Sequence, residues 1–172
     1  MSISIATEVF NALYYIFPAY CANAAPVIFG GGYPIDGGRK FLDGKPIFGS
    51  NKTFRGFILG MIIGTFVGWV QENLAPSIGL AKGSLILGFF LSLGALMGDL
   101  LGSFIKRRLS LKPGAPLPIS DQIDFVLVAL LFSLVISPPS LLTAFIIIVL
   151  TLPIHLLVNI IAYFLRLKKN PW

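Results

Sequence analysis

Residues 85–105 read LILGFFLSLGALMGDLLGSFI, and this stretch decides the fold. As an α-helix rising ~1.5 Å per residue, it would extend about 31 Å, which matches the ~30 Å hydrocarbon layer of a bilayer. Asp99 is the single charged residue in the stretch. A run of this length and apolarity predicts a helix that spans a membrane.

Four further apolar runs flank this stretch, at residues 3–29, 54–70, 123–136 and 141–165. Hydrophobic residues make up 56% of the 172 residues and charged residues only 12%, whereas soluble domains carry about 25% charged residues. We therefore predict an all-α polytopic membrane protein with five transmembrane helices in one integral domain, residues 1–172. The fourth run is short, and Pro138 and Pro139 follow it. The alternative to five separate spans is therefore that runs four and five form a re-entrant pair.

The basic residues predict the orientation. In a five-span arrangement only Lys82 falls on one side of the membrane, and the other twelve Lys and Arg residues fall on the opposite side. The positive-inside rule then places the N-terminus outside, the C-terminus in the cytoplasm, and two cytoplasmic loops at about 30–53 and 106–120. The net charge of +6 is thereby explained by topology, and we expect no nucleic-acid partner.

Glycine recurs at every fourth position along two of the predicted helices. The first glycine ridge comprises Gly56, Gly60, Gly64 and Gly68, and the second comprises Gly94, Gly98 and Gly102. Small residues at this spacing let helix backbones approach closely within a bilayer. The pattern favours helix packing, with a substrate groove along the ridge as the alternative.

Asp99 lies inside an apolar run, with Ser103 and Lys106 on the same helical face. A carboxylate within a membrane is costly unless it is paired, solvated or bound to a metal, which makes Asp99 a candidate functional residue. A structural salt bridge to Lys106 or Arg107 is the alternative interpretation.

Two more acids, Asp121 and Asp124, stand at the start of the fourth apolar run, three residues apart. Carboxylates at this spacing can share a divalent cation, and Mg²⁺ prefers oxygen ligands. Alternatively, Ser120 or Asp121 caps the helix and the acids favour its dipole. Together with Asp99, they place three acids near one membrane surface opposite the Lys and Arg residues, as a site for a metal and a nucleotide requires.

The loop at 30–53 is rich in glycine and carries charges of both signs. Lys52, Thr53 and Arg55 lie where the second helix begins, so the positive end of the helix dipole adds to the two basic side chains. This combination is suited to binding phosphate. The alternative is a flexible loop whose basic residues only follow the positive-inside rule.

Polar residues elsewhere carry weaker signals. Pro18 and Pro26 predict a broken first helix in which Asn23 lines the site or bonds a neighbouring helix. His155 and Asn159 are predicted to make polar contacts between helices. Arg166, Lys168, Lys169 and Trp172 are predicted to anchor the tail at the membrane interface.

Residues 98–108, GDLLGSFIKRR, followed by Asp121-x-x-Asp124, resemble the signature of the membrane CTP:phosphatidate cytidylyltransferase family. The chain departs from that signature in two places: Pro113 follows Lys112 where the family has aspartate, and the family's His-Gly-Gly is missing. The remaining pattern is similar to the archaeal branch, the CDP-archaeol synthases. The stretches that carry this similarity are PAYCANAAP at 18–26, GGGYPIDGG at 30–38, DGK at 43–45, FG at 48–49 and KTFRG at 52–56.

The resemblance implies Mg²⁺-dependent transfer of CMP from CTP to 2,3-bis-O-(geranylgeranyl)-sn-glycerol 1-phosphate, with release of pyrophosphate, at the cytoplasmic face of the cell membrane. It also implies roles for individual residues. Asp99, Asp121 and Asp124 would hold the metal, and Lys106 would act beside them. The residues expected to bind CTP or the lipid phosphate are Lys52, Thr53, Arg55, Ser103, Arg107, Asp43, Lys45 and Asn23.

Other functions stay open at this point. An enzyme that acts on phosphatidate would share most of the motifs. A cation-coupled transporter would use Asp99 as an ion ligand, but its acids should be spread across the depth of the membrane. A structural subunit would have no need for Asp99, and a homodimer is compatible with the sequence.

Overall fold

The computed structural model describes residues 4–78, 83–115, 117, 119–168 and 170. Lys82, Lys169 and Trp172, which entered the predictions above, lie outside the described residues. The described part contains five α-helices and no β-strand. The helices are α1 (Ile5–Phe29), α2 (Phe54–Leu74), α3 (Leu85–Arg108), α4 (Ser120–Ser133) and α5 (Leu141–Phe164), and a 3₁₀ turn, Ala75–Ile78, follows α2.

The all-α prediction is confirmed, and four helices are long and apolar enough to cross a membrane: Ile5–Phe29, Phe54–Ser77, Leu85–Arg108 and Leu141–Phe164. Helix α4 has 14 residues, or about 21 Å at the ~1.5 Å rise of an α-helix. It begins at Ser120, three residues earlier than the apolar run predicted. The count of five spans therefore stays a prediction.

Helix α3 lies at the centre of the bundle and packs against α1, α2 and α4. On the α2 side, the Cα atoms of Gly68 and Gly88 face each other so closely that a Cβ added at either position would lie within 2.7 Å of the opposite Cα. On the α4 side, a Cβ at Gly94 would lie 2.6 Å from the Cα of Ala129. Both glycine ridges therefore act as helix-packing surfaces, as the spacing predicted.

The face of α2 opposite the first glycine ridge is exposed and apolar. Ile58, Ile62, Phe66 and Trp69 follow one another at helical spacing, and each is about half exposed. Soluble monomers rarely expose a continuous apolar patch of this kind. The stripe fits a helix whose other face is covered by protein while this face meets lipid chains.

The buried core forms where α1, α3, α4 and α5 meet. Its members are mostly small or branched apolar residues: Ala12, Ile16, Ala19, Leu91, Ala95, Phe125, Val126, Ala129, Leu130 and Ile147. Only Ile147 comes from α5, whose remaining surface is largely exposed. Helix α5 is thus the outer helix of the bundle.

Helix α1 is continuous through Pro18 and Pro26, so the predicted break in the first span is wrong. Proline at position 18 removes the N–H that would bond the carbonyl of Tyr14. The buried side chain of Gln71 on α2 replaces that donor, with its Nε2 2.7 Å from the Tyr14 oxygen. A polar group freed by proline is therefore satisfied by the neighbouring helix, as a membrane interior requires.

Candidate active site

The polar residues of interest gather at one end of the bundle. Successive helices alternate in direction, so the C-terminal ends of α1, α3 and α5 share this end with the N-terminal ends of α2 and α4. The connection between α1 and α2 and the connection between α3 and α4 both lie here. The motifs picked out in the sequence are thereby brought to one end of the molecule.

Asp36 organises the loop between α1 and α2. Its buried carboxylate accepts hydrogen bonds from the backbone N–H groups of Gly38 (2.9 Å), Phe48 (2.9 Å) and Gly49 (2.8 Å). Burial raises the pKa of Asp36, but these donors outweigh burial and hold the pKa below its ordinary value. Two backbone bridges, between Pro34 and Thr53 and between Lys40 and Pro46, add to the order of the loop. The alternative of a loosely held loop is therefore wrong.

The residues predicted to bind anions at the start of α2 have three different environments. Lys52 forms an ion pair with Asp99, with 2.5 Å between Nζ and Oδ2. Thr53 is the N-cap of α2, and its buried hydroxyl accepts a hydrogen bond from the Gly56 N–H at 3.2 Å. Arg55 is exposed on the first turn. Of the three, Lys52 is the residue brought to the acids.

The acids form two ion pairs with lysines. Asp99 pairs with Lys52, which stands 47 positions earlier in the chain, rather than with the Lys106 or Arg107 of its own helix. Lys106 instead pairs with Asp121 of α4, at 2.8 Å. Each carboxylate therefore lies beside a cation supplied by another element.

Asp124 sits against the second glycine ridge. A Cβ at Gly102 would collide with its Oδ2, and a Cβ at Gly98 would lie 2.6 Å from its backbone oxygen. The charges of Asp99 and Asp121 both act on the Asp124 carboxylate. The two glycines thus make the room in which Asp124 sits, within electrostatic range of Asp99 and Asp121. That the three aspartates share one metal site stays a prediction.

These acids do not by themselves form a metal cage. Within the described residues, no three His, Cys, Asp or Glu side chains are grouped closely enough to hold an ion. Mg²⁺, however, keeps several waters and uses one or two carboxylates together with substrate phosphates. The all-oxygen donor set of the three aspartates fits Mg²⁺ in that mode.

Helix α4 begins without a side-chain cap. Its N-cap position is Ile119, which has a φ of 67°, a strained value for a β-branched residue. The alternative interpretation, in which Ser120 or Asp121 caps this helix, is therefore wrong. The Asp121 carboxylate instead accepts a hydrogen bond from the N–H of Leu117 at 3.0 Å. This bond and the Lys106 ion pair fix Asp121 at the mouth of the site.

Arg107 is only 3% exposed, although it carries a full charge. Its Nη2 donates to the carbonyl of Lys112 at 3.1 Å, while Nε and Nη1 have no hydrogen-bond partner among the described residues. A buried guanidinium with unused donors is costly unless an anion meets it. Arg107 lines a cavity of about 100 Å³ together with Phe48, Asn51, Lys52, Ser103, Lys106, Pro113 and Gly114. Three basic side chains therefore face one small space.

Asp43 and Lys45 fasten the loop to the end of α3. Asp43 pairs with Arg108 at 3.1 Å, and the Lys45 Nζ donates to the Arg108 carbonyl at 2.8 Å. The Arg108 guanidinium lies over the rings of Phe41 and Phe104, at 4.9 and 4.7 Å from their centres. Lys45 also lines a second cavity, of about 310 Å³, next to Arg107.

Asn23 is the predicted site residue that the structure ties least closely to the rest. It is half-buried on α1, one turn after Tyr20, whose ring packs against Phe125 of α4. It lines neither of the two cavities described above.

The sequence reasoning missed several residues of the site. Asp36 belongs to the GGGYPIDGG stretch, but the sequence does not show that Phe48 and Gly49, more than ten positions later, supply two of its donors. Asn51 and Phe48 line the cavity with Arg107. Phe48 belongs to the FG stretch of the family resemblance, and Asn51 directly precedes the Lys52-Thr53 pair, so these positions were the available signals.

Comparison with known proteins identifies the family to which the chain is similar. A sequence model of the family described as CarS-like: CDP-archaeol synthase matches residues 5–172. The chain is 46% identical to the CDP-archaeol synthase of Methanocaldococcus jannaschii over 171 residues, covering 95% of this chain and 97% of that protein. It is 47% identical to the CDP-archaeol synthase of Thermococcus gammatolerans over 167 residues, covering 96% and 98%.

A solved structure shares the fold as well. It is described as an intramembrane enzyme for archaeal membrane lipids biosynthesis and superimposes with a TM-score of 0.79 at 35% identity, covering 88% of this chain and 94% of that one. The family match over nearly the whole chain, the identity to curated relatives and the shared fold agree with one another, and the chain belongs to the CDP-archaeol synthase family.

Proposed function

We propose that this chain is a membrane cytidylyltransferase that transfers CMP from CTP to 2,3-bis-O-(geranylgeranyl)-sn-glycerol 1-phosphate, giving unsaturated CDP-archaeol and pyrophosphate. One observation supports this most directly. Buried Arg107 lines a cavity with Lys52 and Lys106, and each of these lysines also contacts an aspartate. Cations beside acids at the end of a membrane bundle suit a reaction between two phosphates.

The reaction joins two anions. An oxygen of the lipid phosphate forms a bond to the α-phosphorus of CTP, and the bond from that phosphorus to the bridging oxygen of the β-phosphate breaks. Pyrophosphate leaves with the electron pair of the broken bond. The attacking phosphate is already ionised, so no side chain has to remove a proton.

The side chains of the site offset the repulsion between these anions. Lys52 and Lys106 can exchange an aspartate oxygen for a phosphate oxygen, which releases Asp99 and Asp121 from their ion pairs. Arg107 presents the two nitrogens that have no partner among the described residues, and a guanidinium can bind a phosphate through two donors. Ser103 is buried in the same cavity and offers its hydroxyl.

Asp99, Asp121 and Asp124 would hold Mg²⁺. When bound there, the ion supplies positive charge that stabilises the attacking and leaving oxygens. Arg55, Asp43, Lys45, Thr53 and Asn23 stay predicted contributors to substrate binding. Among these, the structural bonds of Thr53, Asp43 and Lys45 point to roles in holding the loop and α2.

The membrane arrangement we propose has five spans, with the site at the cytoplasmic face. The described part of the site end carries Arg39, Lys40, Lys45, Lys52, Arg55, Lys106, Arg107, Arg108, Lys112, Arg166 and Lys168. The positive-inside rule favours placing this end in the cytoplasm, where CTP is available. The exposed apolar stripe of α2 and the outer surface of α5 would face lipid, so the prenyl chains can lie beside the bundle while the phosphate reaches the acids.

The decisive experiment supplies purified protein in detergent with labelled CTP, Mg²⁺ and one of two acceptors, the prenyl-ether glycerol phosphate or phosphatidate. We expect labelled CDP-lipid and pyrophosphate with the prenyl-ether acceptor, and loss of both products when the metal is chelated. Absence of product with both acceptors would overturn the proposed function. Preference for phosphatidate would overturn only the acceptor assignment.

A further inference from the structure

The chain reverses direction directly after α5 instead of leaving the bundle. The N–H groups of Leu167 and Lys168 both donate to the Ala162 carbonyl, at 2.9 and 3.3 Å, and the Arg166 N–H donates to Tyr163 at 2.9 Å. Arg166 has a left-handed φ of 59°. This is the hydrogen-bond pattern of a Schellman helix end, which turns the following residue back along the helix.

The turn returns Lys168 to the surface of α5. Its Nζ donates to Asn159 Oδ1 at 3.0 Å, although the two residues are nine positions apart. Asn159 is only 8% exposed, and its Nδ2 lies 3.2 Å from Nδ1 of His155. The His155 ring in turn packs on Phe125, with the ring centres 5.8 Å apart. Two polar contacts and one aromatic contact therefore link the tail to Phe125, the residue that follows Asp124.

Lys168 also shares the electrostatic surroundings of the acids. Burial lowers its pKa, Asp121 and Asp99 oppose that effect, and Lys106 and Lys52 reinforce it. These are the groups that form the two ion pairs of the site. An ammonium at a membrane interface that only anchored the tail would not need a hydrogen bond to a buried asparagine.

We propose that Lys168 binds a phosphate group of a substrate and that Asn159 is the positioning residue that holds its ammonium toward the acids. The inference rests on the proposed function and adds to it a basic residue contributed by the segment after α5. The phosphate belongs either to CTP or to the lipid acceptor. Both present the same chemistry to an ammonium, and the two arms of the experiment tell them apart.

The test compares Lys168→Gln with Arg166→Gln, a matched control that removes the same charge from an exposed position two residues away. KM and kcat are measured separately with CTP and with the prenyl-ether glycerol phosphate as the varied substrate. CTP binding in the absence of acceptor is measured by calorimetry. We expect Lys168→Gln to raise KM for one of the two substrates about tenfold, the loss of one charge-assisted hydrogen bond, and Lys168→Arg to recover most of that loss.

A raised KM for CTP together with weaker calorimetric binding assigns the contact to the nucleotide, and a raised KM for the acceptor alone assigns it to the lipid phosphate. If Lys168→Gln matches Arg166→Gln with both substrates while the wild-type protein makes product, the inference fails and the proposed function stands. If the wild-type protein transfers no label, the proposed function fails and the inference fails with it.

Asn159→Ala separates positioning from a general effect on stability. As a positioning residue, Asn159 should show part of the KM effect of Lys168→Gln, and the double variant should be no worse than Lys168→Gln alone. A residue that only stabilised α5 would lower the melting temperature and leave KM unchanged. Independent, multiplying effects of the two substitutions on KM would overturn the assignment of Asn159.

Discussion

The two glycine ridges have the same spacing but meet different neighbours. The first ridge lies in the groove between α1 and α3, where added Cβ atoms would meet Pro26, the Ala22 carbonyl and the Gly88 backbone. The second ridge faces α4. At its cytoplasmic end, as we propose the orientation, the neighbour of Gly102 is the carboxylate of Asp124.

The difference shows that one sequence pattern serves two purposes in this protein. Along the first ridge the space beside glycine is filled by backbone atoms and buried side chains of α1 and α3, so these glycines contribute to stability. At Gly98 and Gly102 the space admits a residue with an acidic side chain beside Asp99. Helix packing and site construction thus use the same spacing, and the neighbouring helix determines which one results.

The largest effect on activity should come from the acids beside the second ridge. We expect Asp99→Asn and Asp124→Asn each to lower kcat/KM at least about 100-fold, because a neutral amide supplies no charge to the metal or its phosphates. The melting temperature in detergent should change little. Radiolabelled lipid formation gives the rate, and thermal unfolding gives the stability.

Ser92→Ala is the matched control for these variants. Ser92 is a buried polar residue of the same helix, but its hydroxyl bonds the Gly88 carbonyl and faces the first ridge at Gly64. Activity of Ser92→Ala should stay within about twofold of wild type, because its hydroxyl bonds only within the helix. Full activity of Asp99→Asn or Asp124→Asn would remove that residue from the metal site.

Alanine substitutions in the ridges themselves should separate stability from activity. At Gly64 a Cβ would lie 2.7 Å from the Pro18 carbonyl and 2.9 Å from the Ala22 Cβ. These backbone and buried atoms cannot move aside, so Gly64→Ala should destabilise the protein by about 2 kcal/mol, as overpacked sites do.

At Gly102 the added Cβ would meet only side-chain atoms of Asp124. That carboxylate can rotate away, so Gly102→Ala should cost less than about 1 kcal/mol of stability yet lower the rate about tenfold or more through misplacement of the acid. Thermal unfolding and kcat measured on both variants provide the check. Equal losses of stability, or normal activity of Gly102→Ala, would contradict the distinction between the two ridges.

The sequence predicted the helices well where apolarity decides their extent. Helix α2 runs four residues past its predicted end because Gln71, Glu72 and Asn73 continue the helix with polar side chains. Helix α4 begins three residues early for a similar reason, since its first turn is Ser120-Asp121-Gln122. Hydropathy locates a membrane segment, but helices extend beyond it into water.

The sequence predicted which residues belong to the site more accurately than which residues contact one another there. Helical spacing placed Asp99, Ser103 and Lys106 on one face, and the structure brings Asp124 within electrostatic range of Asp99 and Asp121. Spacing within one helix, however, says nothing about which side chain another element brings opposite. The pairing of Asp99 with Lys52 and the role of Asp36 both depend on contacts between distant parts of the chain, and these follow only from the folded loop.

Lys52 precedes the first ridge yet reaches an acid beside the second, so the loop that carries it joins the two regions. Asp36→Asn should loosen this loop by about 2 kcal/mol, because the amide presents a single weaker acceptor to three buried N–H donors. Limited proteolysis between residues 30 and 53 should accelerate, and activity should fall with it.

The stability that Asp36 contributes also depends on pH. The pKa of Asp36 in the folded protein lies below the ordinary value of 3.8. Its contribution to stability is therefore complete when the pH is above the pKa of the unfolded group, and it is lost as the pH falls through the folded pKa. Wild-type loop protection should therefore persist at neutral pH and decline only in acid, whereas Asp36→Asn should show no such acid transition. Identical acid profiles would contradict the role of Asp36.

The smallest effect should come from Thr53, at the start of the helix that carries the first ridge. The Thr53 hydroxyl accepts a hydrogen bond from the Gly56 N–H and so caps α2. Thr53→Ala should therefore lower the free energy of unfolding by about 1 kcal/mol, and Thr53→Ser should lower it less. Catalytic rate at a temperature where both variants are folded should remain near wild type. A different result would contradict this role: Thr53→Ala abolishes activity, Thr53→Ser retains it, and both variants melt at the wild-type temperature. In that case the Thr53 hydroxyl binds substrate. Normal rates with a lowered melting temperature would instead show that Thr53 stabilises the start of α2 and does not bind substrate.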